Sequence, residues 1–253
     1  MNNSCRRLLA AVLVLAASAC GGESPAPKTP PPGARRVDSS TTGRISGRIL
    51  FSGDVPAGTA VDVAADPACA RDGARLMSEE VVVKDGGVAN VFVYVKDGLR
   101  DYYFDTPTAP VKVDQQRCRY QPHVFGAQTG QPIEVSNSDP TLHNVHAAAS
   151  INRGFNYGQP VQGMKNTTSF EAAEVMVRFK CNVHPWMTAY AGILDHPYFA
   201  VTADGGTFEL KNVPPGTYTI EAWHEKLGTQ TQQVTVADDE HRELSFTFKA
   251  PTT

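Results

Sequence analysis

Long hydrophobic runs are missing from this 253-residue chain, and so is any excess of basic charge. The longest apolar stretch, Leu8 to Ala17, falls short of the ~20 residues a helix needs to cross ~30 Å of hydrocarbon. Lys and Arg number 23 against 26 Asp and Glu, which gives no basic stripe of the kind nucleic-acid binding requires. No segment sustains the apolar period of an amphipathic helix. Gly-x-Ser-x-Gly, a phosphate-cradling glycine loop and His-Glu-x-x-His are all absent, which removes the common hydrolase, nucleotide and zinc-protease signatures. No multi-copy repeat occurs, and 41% hydrophobic with 19% charged residues is the balance of an ordinary globular protein with one large or two small domains.

The short apolar run has a purpose of its own. Arg6 and Arg7 precede it and Ala17-Ser18-Ala19 follow, the layout of an export signal over residues 1–19. Cleavage after Ala19 removes two positive charges and no acid, so the mature chain is more negative. Leu15 to Cys20 also resembles a bacterial lipoprotein signal, in which Cys20 becomes the lipidated first residue; Ala17 stands where such signals usually carry Leu. The lipid reading is preferred, because a free N-terminal thiol is a liability in an oxidising compartment. Localisation is therefore expected at the bacterial cell envelope, on the periplasmic face or cell surface. Residues 20–42 hold Pro25, Pro27, Pro30, Pro31 and Pro32 and almost no large apolar side chain. Such a segment cannot bury enough surface to fold and reads as a stiff tether.

From Gly43 onward the signals are those of strands. Ile45, Gly47 and Ile49 alternate with polar residues, and Val81–Val83 and Val91–Val95 are closed by Asp85-Gly86 and Asp97-Gly98. Ile133-Glu134-Val135 follows a Gly-Gln-Pro turn. Phe208 and Leu210 alternate ahead of Val213-Pro214-Pro215-Gly216, and Tyr218, Ile220 and Ala222 alternate after it. Many short strands with regular turns predict β-sandwiches.

Once Cys5 has left with the signal and Cys20 has taken lipid, Cys69, Cys118 and Cys181 remain. An odd number in an oxidising space leaves one thiol for another task. The reading pairs Cys69 with Cys118 and gives Cys181 to a metal; two separate buried thiols are the alternative. Cys181 opens Cys181-Asn182-Val183-His184-Pro185-Trp186-Met187, a C-x2-H-x2-M spacing, and upstream lies Asp139-Pro140-Thr141-Leu142-His143-Asn144. Two imidazoles, a thiolate and a thioether suit copper in both oxidation states. A structural zinc site that also draws on His146 is the competing reading. It is weakened because residues three apart on a strand point to opposite faces.

These residues carry a family resemblance. Residues 106–197 resemble small cupredoxins, above all amicyanin and more loosely plastocyanin, through His143-Asn144-Val145-His146 and Cys181-x-x-His184-Pro185-aromatic-Met187. Trp186 and Leu142 depart from that pattern. The resemblance implies one type 1 copper on His143, Cys181, His184 and Met187, with Asn144 tying the ligand loops together. It also implies an apolar edge of His184 ringed by Leu142, Pro140, Pro185 and Trp186, through which electrons pass to an unidentified redox protein. Residues 198–250, with Asp204-Gly205-Gly206-Thr207-Phe208 and the Val213–Gly216 turn, resemble the carboxypeptidase regulatory-like (transthyretin-like) sandwich. About fifty residues are too few for such a core, so residues 43–105 are expected to complete it.

The expected fold is thus all-β, a cupredoxin Greek-key β-sandwich inserted in or adjoining a transthyretin-like β-sandwich. Lys180 and Asn182 flank Cys181, so the His-Cys-His bridge to a second copper centre is absent. The expectation is a non-catalytic electron carrier. Copper delivery or buffering is the runner-up, and a surface scaffold or carbohydrate-binding lipoprotein comes third. His123, His146, His196, His224 and His241 are expected to be structural; a cluster of the last three is the alternative.

Overall fold

A computed structural model describes residues 30–64, 66–70 and 75–250. The export signal, Cys20 and the first part of the tether lie outside the described residues. Among the described residues no helix is long and apolar enough to cross a membrane; the fold is all-β, with eighteen strands in four sheets.

The sheets pair into two sandwiches. In the first, β1 (Gly43–Ser52) runs parallel to β18 (His241–Lys249) and antiparallel to β15 (Thr207–Val213). The short β2 (Val83–Lys84) and β3 (Gly87–Val88) extend that sheet. Facing it are β14 (Phe199–Val201), β4 (Phe92–Asp97), β16 (Gly216–His224) and β17 (Gly228–Val236). Period-two patterning drives this layer: Leu244, Phe246 and Phe248 are buried while Glu243, Ser245 and Thr247 are exposed. They meet Ile45, Ile49, Val93, Val95, Leu210 and Ile220 in one core. Strands of this sandwich come from both ends of the chain.

The second sandwich takes its strands from residues 111–194. One sheet runs β10 (Phe155–Gln159), β9 (His143–Ala148), β12 (Glu174–Lys180), β13 (Thr188–Leu194), β7 (Val124–Gln128). The other runs β11 (Lys165–Thr168), β8 (Ile133–Asn137), β5 (Val111–Gln115), β6 (Tyr120–Gln121). Val113, Ile133, Val135, Val145, Phe125 and Phe179 fill the space between them.

A third apolar layer joins the sandwiches. Phe92 and Tyr94, on the outer face of β4, meet Val124 and Leu194, and Phe199, Tyr190 and Trp223 close around them. Phe92 stacks on Phe199 with ring centroids 5.5 Å apart. Two glycines make room: a Cβ on Gly192 would overlap the Phe92 ring, and one on Gly126 would overlap Phe199.

Some details differ from the expected pattern. The Val81–Val83 run yields a strand only at Val83–Lys84, turning at Asp85-Gly86 with positive φ at both residues. β17 gave no apolar signal because it is an edge strand. Its glutamines are used instead: Gln230 and Gln232 donate to the carbonyls of Thr247 and Ser245 on β18, each at 2.7 Å. The last part of the tether is also not free. Arg35 donates its N–H to Asp101, accepts from Tyr103, and lays its guanidinium over the Tyr102 ring at 4.5 Å.

One buried carboxylate organises the β9–β10 turn. Glu174 accepts the N–H groups of Ser150 (2.5 Å), Ile151 (3.1 Å) and Asn152 (2.9 Å) and the Asn152 side-chain amide (3.0 Å). Burial pushes its carboxyl up, but these donors outweigh burial and hold it below the usual value. A depressed folded value stabilises the fold above the ordinary Glu pKa of about 4.3; that contribution fades as pH falls through the folded value. Glu174→Ala is expected to cost about 2 kcal/mol at pH 7 through orphaned donors. Urea unfolding at pH 7 and pH 3 checks this: the gap to the unsubstituted protein narrows at acid pH.

Candidate metal centre

The centre is assembled at one end of the second sandwich from a loop, a strand start and a hairpin. In the loop 137–142, Asn137 accepts the Asp139 N–H (2.9 Å) and donates to the carbonyls of Thr141 and Gln159 (both 2.9 Å), an Asx-type turn. This delivers His143 as the first residue of β9. Between β5 and β6, Arg117 and Cys118 both sit in the left-handed region, with φ 56° and 53°. Such a two-residue hairpin normally takes Asn-Gly, and each L side chain there costs about 1–2 kcal/mol. The Asp139 carboxylate offsets that cost by accepting both N–H groups at 2.8 Å.

Cys181 to Met187 close β12 onto β13. The Cys181 N–H donates to the Met187 carbonyl (3.2 Å), the Met187 N–H to His184 (2.9 Å), and the His184 N–H to the Cys181 sulfur (3.4 Å). The loop therefore coils around its own sulfur. Asn144 Oδ1 accepts the Asn182 N–H (2.5 Å) and Asn144 Nδ2 donates to Asn156 (2.5 Å), so β9, the ligand loop and β10 are joined.

The four side chains are almost fully buried: His143 0%, Met187 1%, His184 2% and Cys181 3% exposed. His143 Nδ1 and His184 Nδ1 face each other at 3.0 Å, and Cys181 Sγ is 3.8 Å from His184 Nδ1. One donor atom from each of these three residues lies within 4.8 Å of the others. Met187 is buried in the same core beside Cys181. Both imidazoles spend their other nitrogen on a carboxylate, His143 Nε2 on Asp139 (3.0 Å) and His184 Nε2 on Asp66 (2.9 Å). Metal-binding histidines are typically oriented in this way.

Electrostatics favour the ligand form of Cys181 and, with no ion bound, the protonated form of His143. Burial pushes the Cys181 thiol up, yet hydrogen bonds from His143 and from the backbone of Asn144, His184 and Val183 outweigh it and bring the thiol down to about 6. Burial works against a charged His143, but Asp139 and the Cys181 thiolate outweigh it and lift the ring to about 9. At neutral pH the thiolate and the charged ring therefore hold one proton between them in number, which a bound metal ion would displace. Two nitrogens, one thiolate and a buried thioether in the same loop fit copper better than zinc, for which thioether is a poor donor.

One expectation is corrected. The edge of His184 is not exposed. Asp66 covers its Nε2 and also accepts the Thr141 hydroxyl (2.8 Å). Cys69, in the same short segment, is disulfide-bonded to Cys118, with Cα atoms 5.5 Å apart. Leu142 is 44% exposed and Pro185 is exposed, but Trp186 is half-buried, its ring 5.2 Å from His184 and its Nε1 donating to the Cys118 carbonyl (3.1 Å). The covering segment follows β1 in the chain and reaches the site because the disulfide anchors it. Asp66 and the pairing role of Asp139 were missed in the sequence; the only signal for Asp66 was its place three residues before Cys69.

The other histidines are dispersed. His146 contacts Asn182 (3.3 Å). His123 Nε2 meets Glu225 (2.5 Å) between the sandwiches. His196 packs beside Phe104 and Tyr198, His224 beside Phe248, and His241 against Ser46, so the last three form no cluster. Burial holds His196 and His224 down at about 4.

Residues 193–249 match the carboxypeptidase regulatory-like domain family. No curated protein sequence matches the chain. Among solved structures, similarity is found to a copper-containing nitrite reductase (NirK) from Thermus scotoductus SA-01. That match has 16% identity and a TM-score of 0.33, and covers 37% of this chain but only 24% of the reductase. An oxidized Pro-to-Gly mutant of amicyanin matches at 16% identity over 46% of this chain and 93% of its own, with a TM-score of 0.31. A purple cupredoxin from Nitrosopumilus maritimus matches at 17% identity over 33% of this chain and 98% of its own, with a TM-score of 0.29.

Proposed function

We propose that the chain is a single-copper electron carrier of the cell envelope, with His143, Cys181, His184 and Met187 holding one type 1 copper. The observation that carries this reading is the convergence of two buried imidazoles on one buried thiol. When bound, copper supplies one-electron chemistry by alternating between its cupric and cuprous states. The protein's part is to keep the donors still. Asp139 and Asp66 lock the two rings, Asn144 ties the strand to the loop, and the loop's own hydrogen bonds fix the sulfur. A donor set held this firmly suits both oxidation states without rearranging. A thiol near 6 is already thiolate at neutral pH, so the proton that binding displaces comes from His143. Four protein donors leave no position for a substrate, which supports a carrier over an enzyme. The lipid at Cys20 and the proline-rich segment would hold the carrier near a membrane, within reach of a redox protein partner.

The covered edge of His184 favours a second reading, copper buffering or delivery. The copper dissociation rate separates the two: a carrier keeps its ion through repeated redox cycles, and a delivery protein yields it to an acceptor. The primary test adds one equivalent of Cu(II) to the full chain. Intense visible absorption with a narrow copper hyperfine splitting is expected, and a colourless complex overturns the type 1 reading.

A further inference from the structure

The disulfide lies closer to the histidines than a staple requires. The sulfurs of Cys69 and Cys118 and a ring nitrogen of His184 all fall within 4.8 Å of one another, and the Cys118 sulfur is equally near a ring nitrogen of His143 and an oxygen of Asp139. Cys118 is fully buried and Cys69 nearly so. Cys118 is held from below by Asp139 through the left-handed hairpin, and Cys69 is carried by the segment whose Asp66 already touches His184.

We propose that the Cys69–Cys118 pair is a thiol-gated second metal site, which in its dithiol form takes one Cu(I) ion with His184. Opening the site needs a dithiol or phosphine reductant. The S–S bond accepts two electrons and two protons and becomes two thiols, while a dithiol reductant becomes a disulfide. Cu(I) then displaces both thiol protons and gains two sulfur donors and one imidazole nitrogen. Thiolates select Cu(I) over harder ions, and the ligands are deprotonated on binding. In the disulfide form neither sulfur carries a charge, so the site is closed. Because Asp66 rides on the same segment as Cys69, reduction also frees the cover over His184 to move. The gate therefore links the thiol state of the compartment to the copper-handling end of the molecule. The ligands at Cys69 and Cys118 do not depend on the type 1 reading; only His184 is shared with it.

The test uses the full chain carrying Cys181→Ser, which disables the first centre, prepared once with the disulfide intact and once under a phosphine reductant. Cu(I) is offered in competition with a chromophoric bicinchoninate chelator. The disulfide form is expected to retain no Cu(I), and the dithiol form one equivalent. A further Cys118→Ser change is expected to return the reduced form to none. In parallel, Cu(I) is expected to protect Cys69 and Cys118 of the otherwise unsubstituted reduced chain from alkylation by iodoacetamide. This second readout needs no cysteine replacement and so does not depend on a variant's folding. Absence of Cu(I) from the dithiol form together with unprotected cysteines overturns the proposal. Failure of the unsubstituted disulfide form to bind copper would instead sink the type 1 reading and leave this one standing.

Discussion

Cys181→Ser is expected to remove the visible colour of the copper-loaded protein and to weaken copper binding by more than about 100-fold. Loss of an outer hydrogen-bond partner alone costs 10–100-fold in metal affinity, and on the proposed function a direct donor is lost. Serine is nearly the same size, so the buried position, 3% exposed, keeps its packing and the apoprotein keeps its stability. What changes is the donor. The thiol is held at about 6 by His143 and the surrounding backbone N–H groups, whereas an alcohol stays protonated at any accessible pH and is a hard, neutral oxygen. The sulfur-to-copper transition that gives the colour then has no source. Optical and electron paramagnetic resonance spectra, with chelator competition, check this. His146→Ala, at a partly exposed position of β9 beyond His143, is the control expected to leave the spectrum unchanged. A serine variant that retains the intense band would remove Cys181 from the ligand set.

The second large effect concerns the joint between the sandwiches. Gly192→Val is expected to destabilise the protein by about 3 kcal/mol, at the upper end of the usual cost of overpacking. The added Cβ would overlap the ring of Phe92, which is fully buried and stacked on Phe199. The ring cannot retreat without disturbing Tyr94 and Leu194 in the same layer. Gly192 lies in β13, which begins one residue after Met187, so the wedge should also loosen the ligand loop. Chemical denaturation monitored by tryptophan fluorescence reports the first effect, since Trp223 borders the layer and Trp186 the loop. A midpoint unchanged from that of the unsubstituted protein would mean that the layer yields freely.

How far the site could be read in advance depends on sequence distance. Cys181, His184 and Met187 fall within seven residues, and any turn closing two strands brings them together, so their spacing put them forward and the cupredoxin resemblance named them as ligands. His143 needed only a neighbouring strand. Asp66 stands 118 residues from His184, and no local pattern links them. The Arg117–Cys118 hairpin escaped for a different reason. Neither residue favours positive φ, and the conformation survives because Asp139, distant in sequence, accepts both of their N–H groups. β17 was silent because only Val234 and Val236 at its end reach the core, while Gln230 and Gln232 bond to carbonyls of β18 across from it.

Local chemistry is therefore what the sequence by itself determined: strands from period-two burial, turns from Asp-Gly and Asx residues, and a soft donor set from one short loop and an upstream histidine. These are interactions between near neighbours, and their preferences do not wait on the rest of the chain. Only the tertiary structure decided that β1 lies between β15 and β18, that Phe92 settles on Gly192, and that Asp66 and a disulfide cover His184. Each of these joins residues remote along the chain, and such contacts are selected by the packing of the whole core and not by any preference of the segments that make them.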